Sequence, residues 1–97
     1  MATYILLASY TEQGIKGIKD TVKRTESVKA LAKKAGCTMK ESYWTLGAYD
    51  VVAVFEAPDD ETMTAFSLSV AKLGNVKTQT LRAFSSKDRA GVLAKMV

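Results

Sequence analysis

Four side chains of chemically versatile types, Glu41, Tyr43, Asp50 and Arg82, fall on strand-like segments or at the turn between two of them. Two carboxylates held in a partly dry cleft repel each other, which raises one pKa and leaves a general acid or base. A phenol or a guanidinium can stabilise a developing oxyanion, and Arg82 could also clamp a carboxylate or phosphate through two parallel hydrogen bonds. These four residues are the candidate ligand-binding set.

Each candidate also has a structural alternative. Glu41 could face water on an edge strand, Asp50 could bond backbone amides of its own turn, and Arg82 could pair with either acid. A hydrophobic pocket for an aromatic ligand could be walled by Tyr10, Tyr43, Trp44 and Tyr49. Aromatic residues in strands more often belong to a core or an interface, so the aromatic set does not by itself identify a ligand.

Other chemistries lack their usual residues. The chain has no histidine and a single cysteine, Cys37, so no disulfide, zinc or activated-thiol pattern is present. We expect no metal and no cofactor, and we expect Cys37 to be a packed, inert thiol. One unpaired cysteine also agrees with a reducing compartment, which makes the cytoplasm the expected location.

Composition indicates one small globular domain over residues 1–97, with 47% apolar and 25% charged residues. No stretch is long and apolar enough for a membrane span, and the start has no basic leader region. Basic residues crowd one segment, as Lys16, Lys19, Lys23, Arg24, Lys29, Lys33, Lys34 and Lys40. A lysine-rich helix face is usually only solvated, so we do not expect nucleic acid as a partner. Nucleic-acid binding by this basic face stays a minor alternative.

Apolar periodicity and turn residues predict an α+β fold with a ferredoxin-like β-α-β-β-α-β order and a four-stranded antiparallel sheet. The predicted elements are a strand over 4–10, a helical turn from Thr11, a helix from Asp20 or Thr21 to Gly36, strands over 37–45 and 50–56, a helix ending at Gly74, a strand over 76–84, and a short C-terminal helix within 86–97. Gly47 supplies the positive φ of the hairpin turn.

Side-chain alternation in that hairpin predicts two apolar sheet faces. A two- or four-residue turn places Tyr43 on one face with Met39, Glu41, Asp50, Val52 and Val54, and Trp44 on the other with Tyr49, Val51, Ala53 and Phe55. We assign the Tyr43 face to the helices, so that Glu41, Tyr43 and Asp50 share a cleft. The Trp44 face should then be covered by a second copy of the chain, which predicts a homodimer that Trp44→Glu disrupts.

The sequence resembles the GYD domain family, small prokaryotic proteins named for a glycine, tyrosine and aspartate signature. The likeness is carried by Gly47, Tyr49 and Asp50, by the segments 9–11, 13–15 and 57–60, and by the run 74–84, and it covers nearly the whole chain. The resemblance implies a dimeric α/β-barrel type of ferredoxin-like fold. Cofactor-free oxygenases, dismutases and ligand-sensing domains share that scaffold, so the fold alone selects none of these functions.

Two main hypotheses therefore stand. The first is a homodimeric, non-enzymatic module that binds a small molecule or a protein partner in a cleft between sheet and helices. The second is a cofactor-independent enzyme of the oxygenase or isomerase kind, with Asp50 or Glu41 as base and Tyr43 or Arg82 stabilising an oxyanion. A closed apolar cleft of roughly a few hundred Å³ with a carboxylate at its mouth would favour a ligand, whereas a filled interior favours a protein partner.

Overall fold

A computed structural model describes all 97 residues of the chain. The strands are β1 (Ala2–Tyr10), β2 (Thr38–Trp44), β3 (Val51–Ala57) and β4 (Val76–Ala83), and the helices are α1 (Glu12–Lys16), α2 (Thr21–Ala35), α3 (Asp60–Ala71) and α4 (Arg89–Leu93), with short 3-10 turns at Ile18–Asp20 and Ser86–Asp88. The strands form one antiparallel sheet in the order β2-β3-β1-β4. The fold is α+β and consistent with the predicted ferredoxin-like arrangement.

Helix boundaries follow local signals that the sequence displays. Asp59 caps α3 by accepting a hydrogen bond from the Thr62 backbone N–H at 2.8 Å, and this bond holds the pKa of Asp59 below its usual value. Gly36 ends α2 in the left-handed conformation with φ 89°. No helix has the length and apolar character needed to cross a membrane.

The core lies between the sheet and the helices. From the sheet it takes alternate residues of β1 and β3, and from α3 it takes Met63, Phe66 and Val70, all buried. The rings of Phe55 and Phe66 lie 5.0 Å apart between centroids in a tilted arrangement. The longer helix α2 contributes only Ala32 to the fully buried set, so the two helices cover the sheet unequally.

The predicted alternation is confirmed for the residues that pair between β2 and β3, although the connection has six residues, 45–50, rather than two or four. Tyr49, predicted on the face of Trp44, lies in this connection, and its hydroxyl donates to Gln79 Oε1 on β4 at 2.8 Å. Trp44 pairs with Val51 and Tyr43 pairs with Val52, so these pairs fall on opposite faces. A register shift between Met39 and Glu41 adds a residue to β2 and moves Met39 to the face of Phe55. The predicted grouping of Met39 with Glu41 is therefore wrong.

The assignment of faces to helices is also wrong. Phe55 and Ala53 are buried beneath the helices, which places Trp44 at the margin of the covered face and Tyr43, Glu41 and Val52 on the other face. That other face, which we call the open face, has no helix over it. The reason is packing: the covered face carries the alanines Ala8, Ala53 and Ala57, whose small side chains allow helices to approach, and the open face carries branched aliphatic residues.

Candidate functional site

Glu41 and Tyr43 form a close pair on the open face. The Tyr43 hydroxyl donates a hydrogen bond to Glu41 Oε2, because residues two apart on a strand project from the same side. That hydrogen bond, reinforced by the negative charge of Glu41, raises the pKa of Tyr43. Both side chains are exposed, and the 52% exposure of Tyr43 leaves the pair in water rather than in a dry cleft.

Asp50 closes the end of the sheet where β1 finishes. Its backbone N–H donates to the Ala8 carbonyl at 2.9 Å, and its Oδ2 accepts from the Tyr10 backbone N–H at 2.9 Å. The carboxylate therefore bonds a backbone amide of β1 rather than one in its own turn. This contact extends the pairing of β1 with β3 and anchors the loop 45–50.

Arg82 lies on β4, at the opposite edge of the sheet from β2. Its guanidinium stands 4.6 Å from the Phe84 ring centroid and 5.5 Å from that of Tyr4, within cation-π range. It donates to the carbonyls of Thr3 and Ala83. Strands β1 and β3 separate Arg82 from Glu41, and Arg82 forms a salt bridge with neither acid. The structure thus brings Glu41 and Tyr43 together and places Asp50 and Arg82 elsewhere.

A different set of residues does converge, at the C-terminal end of β1. Thr11 Oγ1 donates to the Gly74 carbonyl at 2.6 Å, and the Gln13 side-chain N–H donates to the Leu73 carbonyl and to Asn75 Oδ1, both at 3.0 Å. Gly14 passes so close to Asn75 that a Cβ there would lie 2.0 Å from the Asn75 carbonyl oxygen. Three of the segments that carry the family resemblance, 9–11, 13–15 and the start of 74–84, therefore meet in space, although the third lies far from the other two in the chain.

Beside this corner an open groove runs between α1, the first 3-10 turn and the loop 45–50. It has a volume of about 360 Å³ and is lined by Tyr10, Ile15, Ile18, Trp44, Thr45, Leu46 and Asp50. The Trp44 indole N–H donates to the Tyr10 hydroxyl at 2.8 Å, which fixes the orientation of an aromatic ring that is 64% exposed. We call this surface the Trp44 groove. Leu46 at its rim is fully exposed.

A second space, a half-open pocket, lies between α2 and the sheet. It has a volume of about 130 Å³ and a mainly apolar lining, with both small and large side chains on the sheet side and the first turns of α2 opposite. No carboxylate is among its lining residues, and its volume falls below the few hundred Å³ expected of a substrate cleft. The spacing of residues in the sequence does not predict this cavity, because the cavity depends on the distance between α2 and the sheet.

Comparisons with known proteins agree with this fold. The family model of the GYD domain matches residues 4–93. A Thermus thermophilus protein named glutamine synthetase and cystathionine beta-lyase binding protein is 35% identical over 89 residues, which cover 91% of this chain and 94% of the relative. These matches span the residues that converge at the C-terminal end of β1 and most of the core elements described above.

Two solved structures resemble the chain at lower identity. The crystal structure of FFRP-DM1 matches with a TM-score of 0.63 and 21% identity, covering 87% of this chain and 100% of that one. The structure of TTHA0845 from Thermus thermophilus matches with a TM-score of 0.58 and 23% identity, covering 89% and 96%. At these identities the likeness concerns the fold alone.

Proposed function

The chain belongs to the GYD domain family, and on that premise we propose that it is a homodimeric module whose role is to bind a protein partner. The observation that carries this proposal is the Trp44 groove, an exposed apolar surface with a fixed aromatic ring at its centre. Tryptophan and tyrosine dominate the energetic centres of protein interfaces. The relative named as a binding protein for two enzymes supports the same kind of role.

We propose that a second copy of the chain covers the open face, as in a dimeric α/β barrel. Ile5, Leu7, Val52 and Val54 form its centre, and Leu81 extends it to β4 with 41% of its surface exposed. Glu41 and Tyr43 would supply polar contacts at its margin. Four strands with the usual spacings offer roughly 500 Å² per face, so two faces would bury about 1,000 Å², the lower limit for a specific interface.

The C-terminal helix offers further area for that dimer. Every residue from Arg89 to Val97 is exposed, including the apolar Val92, Leu93 and Met96. The radius of gyration is 14.4 Å, against about 12.5 Å for a compact chain of this length, so a segment projects from the body. A helix as short as α4 is only marginally stable without a surface to pack on. A second copy of the chain would supply such a surface.

We propose no catalytic function, because the candidate base groups are already engaged. The Glu41 carboxylate accepts from Tyr43 in open solvent, and the Asp50 carboxylate accepts from a β1 amide. The basic face of α2 presents lysines without aromatic neighbours, so nucleic acid gains no support from it. The buried, unpaired Cys37 is in keeping with a cytoplasmic location, which we propose on that ground.

Direct binding to purified enzymes tests the partner role. Glutamine synthetase and cystathionine beta-lyase from the source organism of this chain would be titrated against it by calorimetry. We expect at least one to bind, and Leu46→Ser to weaken that binding at least about tenfold. Leu68→Ser is the matched control, because Leu68 is another exposed leucine, on the outer side of α3, and it should stay within about twofold.

Two outcomes would contradict the proposal. If neither enzyme binds at roughly tens of micromolar, the partner class suggested by the relative is wrong for this chain. If Leu46→Ser and Leu68→Ser weaken binding equally, the partner does not use the Trp44 groove.

A further inference from the structure

The cavity under α2 originates in small side chains that face one another. Ala8, Ser42 and Ala53 lie on its sheet side among larger strand residues, and Thr21 and Thr25 lie on the wall contributed by the first turns of α2. None of these side chains is long enough to fill the gap that the helix leaves. Farther along, Ala32 of α2 is completely buried, so the helix approaches the sheet at one end and stands away from it at the other.

The size of the cavity limits what could occupy it. At about 130 Å³ it is close to the engineered apolar cavities of roughly 150 Å³ that bind benzene. Val28, Phe55, Phe66 and Val70 belong to its lining, which is mainly apolar. A ligand group of about four to six carbons would fit, and a peptide segment would not.

One cation stands among these lining residues. Arg24 is half-buried, and its Nη2 donates to the carbonyls of Gly14 at 3.0 Å and Gly17 at 2.5 Å. Neither salt bridge of the chain involves Arg24, and Asp20, the acid just before α2, makes none with it. The guanidinium nitrogens Nε and Nη1 have no protein acceptor, so the fork of donors that suits a carboxylate is only partly used.

We propose that this cavity binds a small monocarboxylate with a branched or ring-shaped apolar part of about four to six carbons. The apolar part fills the space over Ala8 and Ala53, and the carboxylate accepts hydrogen bonds from Arg24. A free amino acid is a poorer ligand, because no lining residue is acidic and its ammonium group would be left without a counter-charge. This inference is separate from the partner-binding role and does not depend on it.

Isocaproate is a suitable probe, because leucine differs from it only by the α-ammonium group and isohexanol only at the carboxylate. Binding is measured by calorimetry and by amide chemical-shift changes in labelled protein. We expect isocaproate to shift resonances of Thr25, Val28 and Ala53. Leucine and isohexanol should each bind at least about tenfold more weakly.

Three variants locate the site. Arg24→Gln should weaken isocaproate at least about tenfold, whereas Lys23→Gln, which removes the same charge from an exposed neighbour outside the lining, should change it less than about twofold. Thr25→Met should abolish binding by filling the cavity without removing the cation. Thermal melting of each variant checks that it folds. If Arg24→Gln does not fold, Thr25→Met still tests the site.

Several results would overturn the inference. These are no resonance shift at the cavity with isocaproate, equal binding of isohexanol or leucine, or unchanged binding in both Arg24→Gln and Thr25→Met. The calorimetric titrations with the two enzymes and the sedimentation of the dimer are measured on ligand-free protein. A failure of the partner or dimer proposal therefore leaves this result standing, and the reverse also holds.

Discussion

The two faces of the sheet are built from the same strands and yet meet opposite surroundings. On the covered face Tyr4, Leu6 and Phe55 are buried beneath helices, whereas on the open face Ile5 and Val54, their neighbours in sequence, are only half-buried. Burial of an aliphatic side chain contributes about 1.5–3 kcal/mol. The covered face therefore contributes to folding of one chain, and the same kind of burial on the open face would favour the dimer that we propose.

The kind of apolar residue differs between the faces as well. Alanines at 8, 53 and 57 leave room for helices on the covered side, and Phe55 fills the remaining volume against Phe66. Branched residues on the open side present a broad, even surface of the type that packs against another sheet. The mixture of alanines with large residues is thus the signal that distinguishes the covered face from the open face, whose centre is made of branched aliphatic residues.

The strongest contrast comes from deleting one large side chain of α3 that packs against the covered face and one large side chain on the open face. Phe66→Ala should lower the free energy of unfolding by about 3–5 kcal/mol, because Phe66 is 1% exposed and leaves a cavity. Leu81→Ala on the open face should lower it by less than about 1 kcal/mol when measured on the dilute monomer. Urea denaturation at low protein concentration measures both, and equal losses would remove the distinction between the faces.

Dimer formation should be sensitive to changes on the open face and insensitive to changes on the covered face. Val54→Lys places a charge at the centre of the open face and should raise the dimer dissociation constant at least about a hundredfold, with the fold retained. Trp44→Glu should leave the dimer intact, which reverses the expectation drawn from the sequence, because Trp44 belongs to the other face. Sedimentation velocity measures both variants. A monomeric wild-type chain at micromolar concentration would refute the dimer proposal.

A smaller effect on association is expected from the C-terminal helix. Removing residues 89–97 should weaken the dimer by about tenfold, because the apolar side chains of α4 add only a rim to the interface. The unfolding free energy of the dilute monomer should not change, since those residues are exposed in the single chain. The same sedimentation and urea experiments distinguish the two quantities, and a destabilised monomer would show that α4 packs on its own body.

The tyrosines extend the comparison to pH. Burial, and then the 2.5 Å hydrogen bond from its hydroxyl to Asp60, raise the pKa of Tyr4 on the covered face to about 12. Because the folded pKa exceeds the unfolded value of about 10, this group contributes stability that is complete below pH 10 and is lost as pH rises toward 12. On the open face the pKa of Tyr43 is raised mainly by Glu41.

Glu41→Gln should therefore lower the pKa of Tyr43 and leave that of Tyr4 unchanged. Residue-resolved NMR titration of labelled tyrosines measures both. A parallel change in Tyr4 would mean that the charge of Glu41 also contributes to the pKa of Tyr4, contrary to the causes given above. This is the smallest of the expected effects, because it alters one exposed hydrogen bond and should not affect the fold at neutral pH.

Local chemistry made much of the architecture predictable. Gly36, Gly47 and Gly74 all adopt positive φ, Gly36 at the end of α2 and the other two in turns. Helix α3 ends at Ala71, three residues before the predicted end at Gly74. The alternation that paired Tyr43 with Val52 and Trp44 with Val51 follows from the two-residue period of a strand. These features depend on a few neighbouring residues, so the sequence alone determined the elements, their order and the family.

Only the tertiary structure decided which face the helices cover, where β2 gains its extra residue, and which distant segments meet at the end of β1. Asp50 and Tyr10, or Gln13 and Asn75, come together through packing across the whole domain rather than through any local pattern. The gap beneath α2 arises in the same way, from small side chains that oppose one another across two layers. Such arrangements depend on many long-range contacts acting together. The spacing of residues along the chain reports only local periodicity, so it does not predict them.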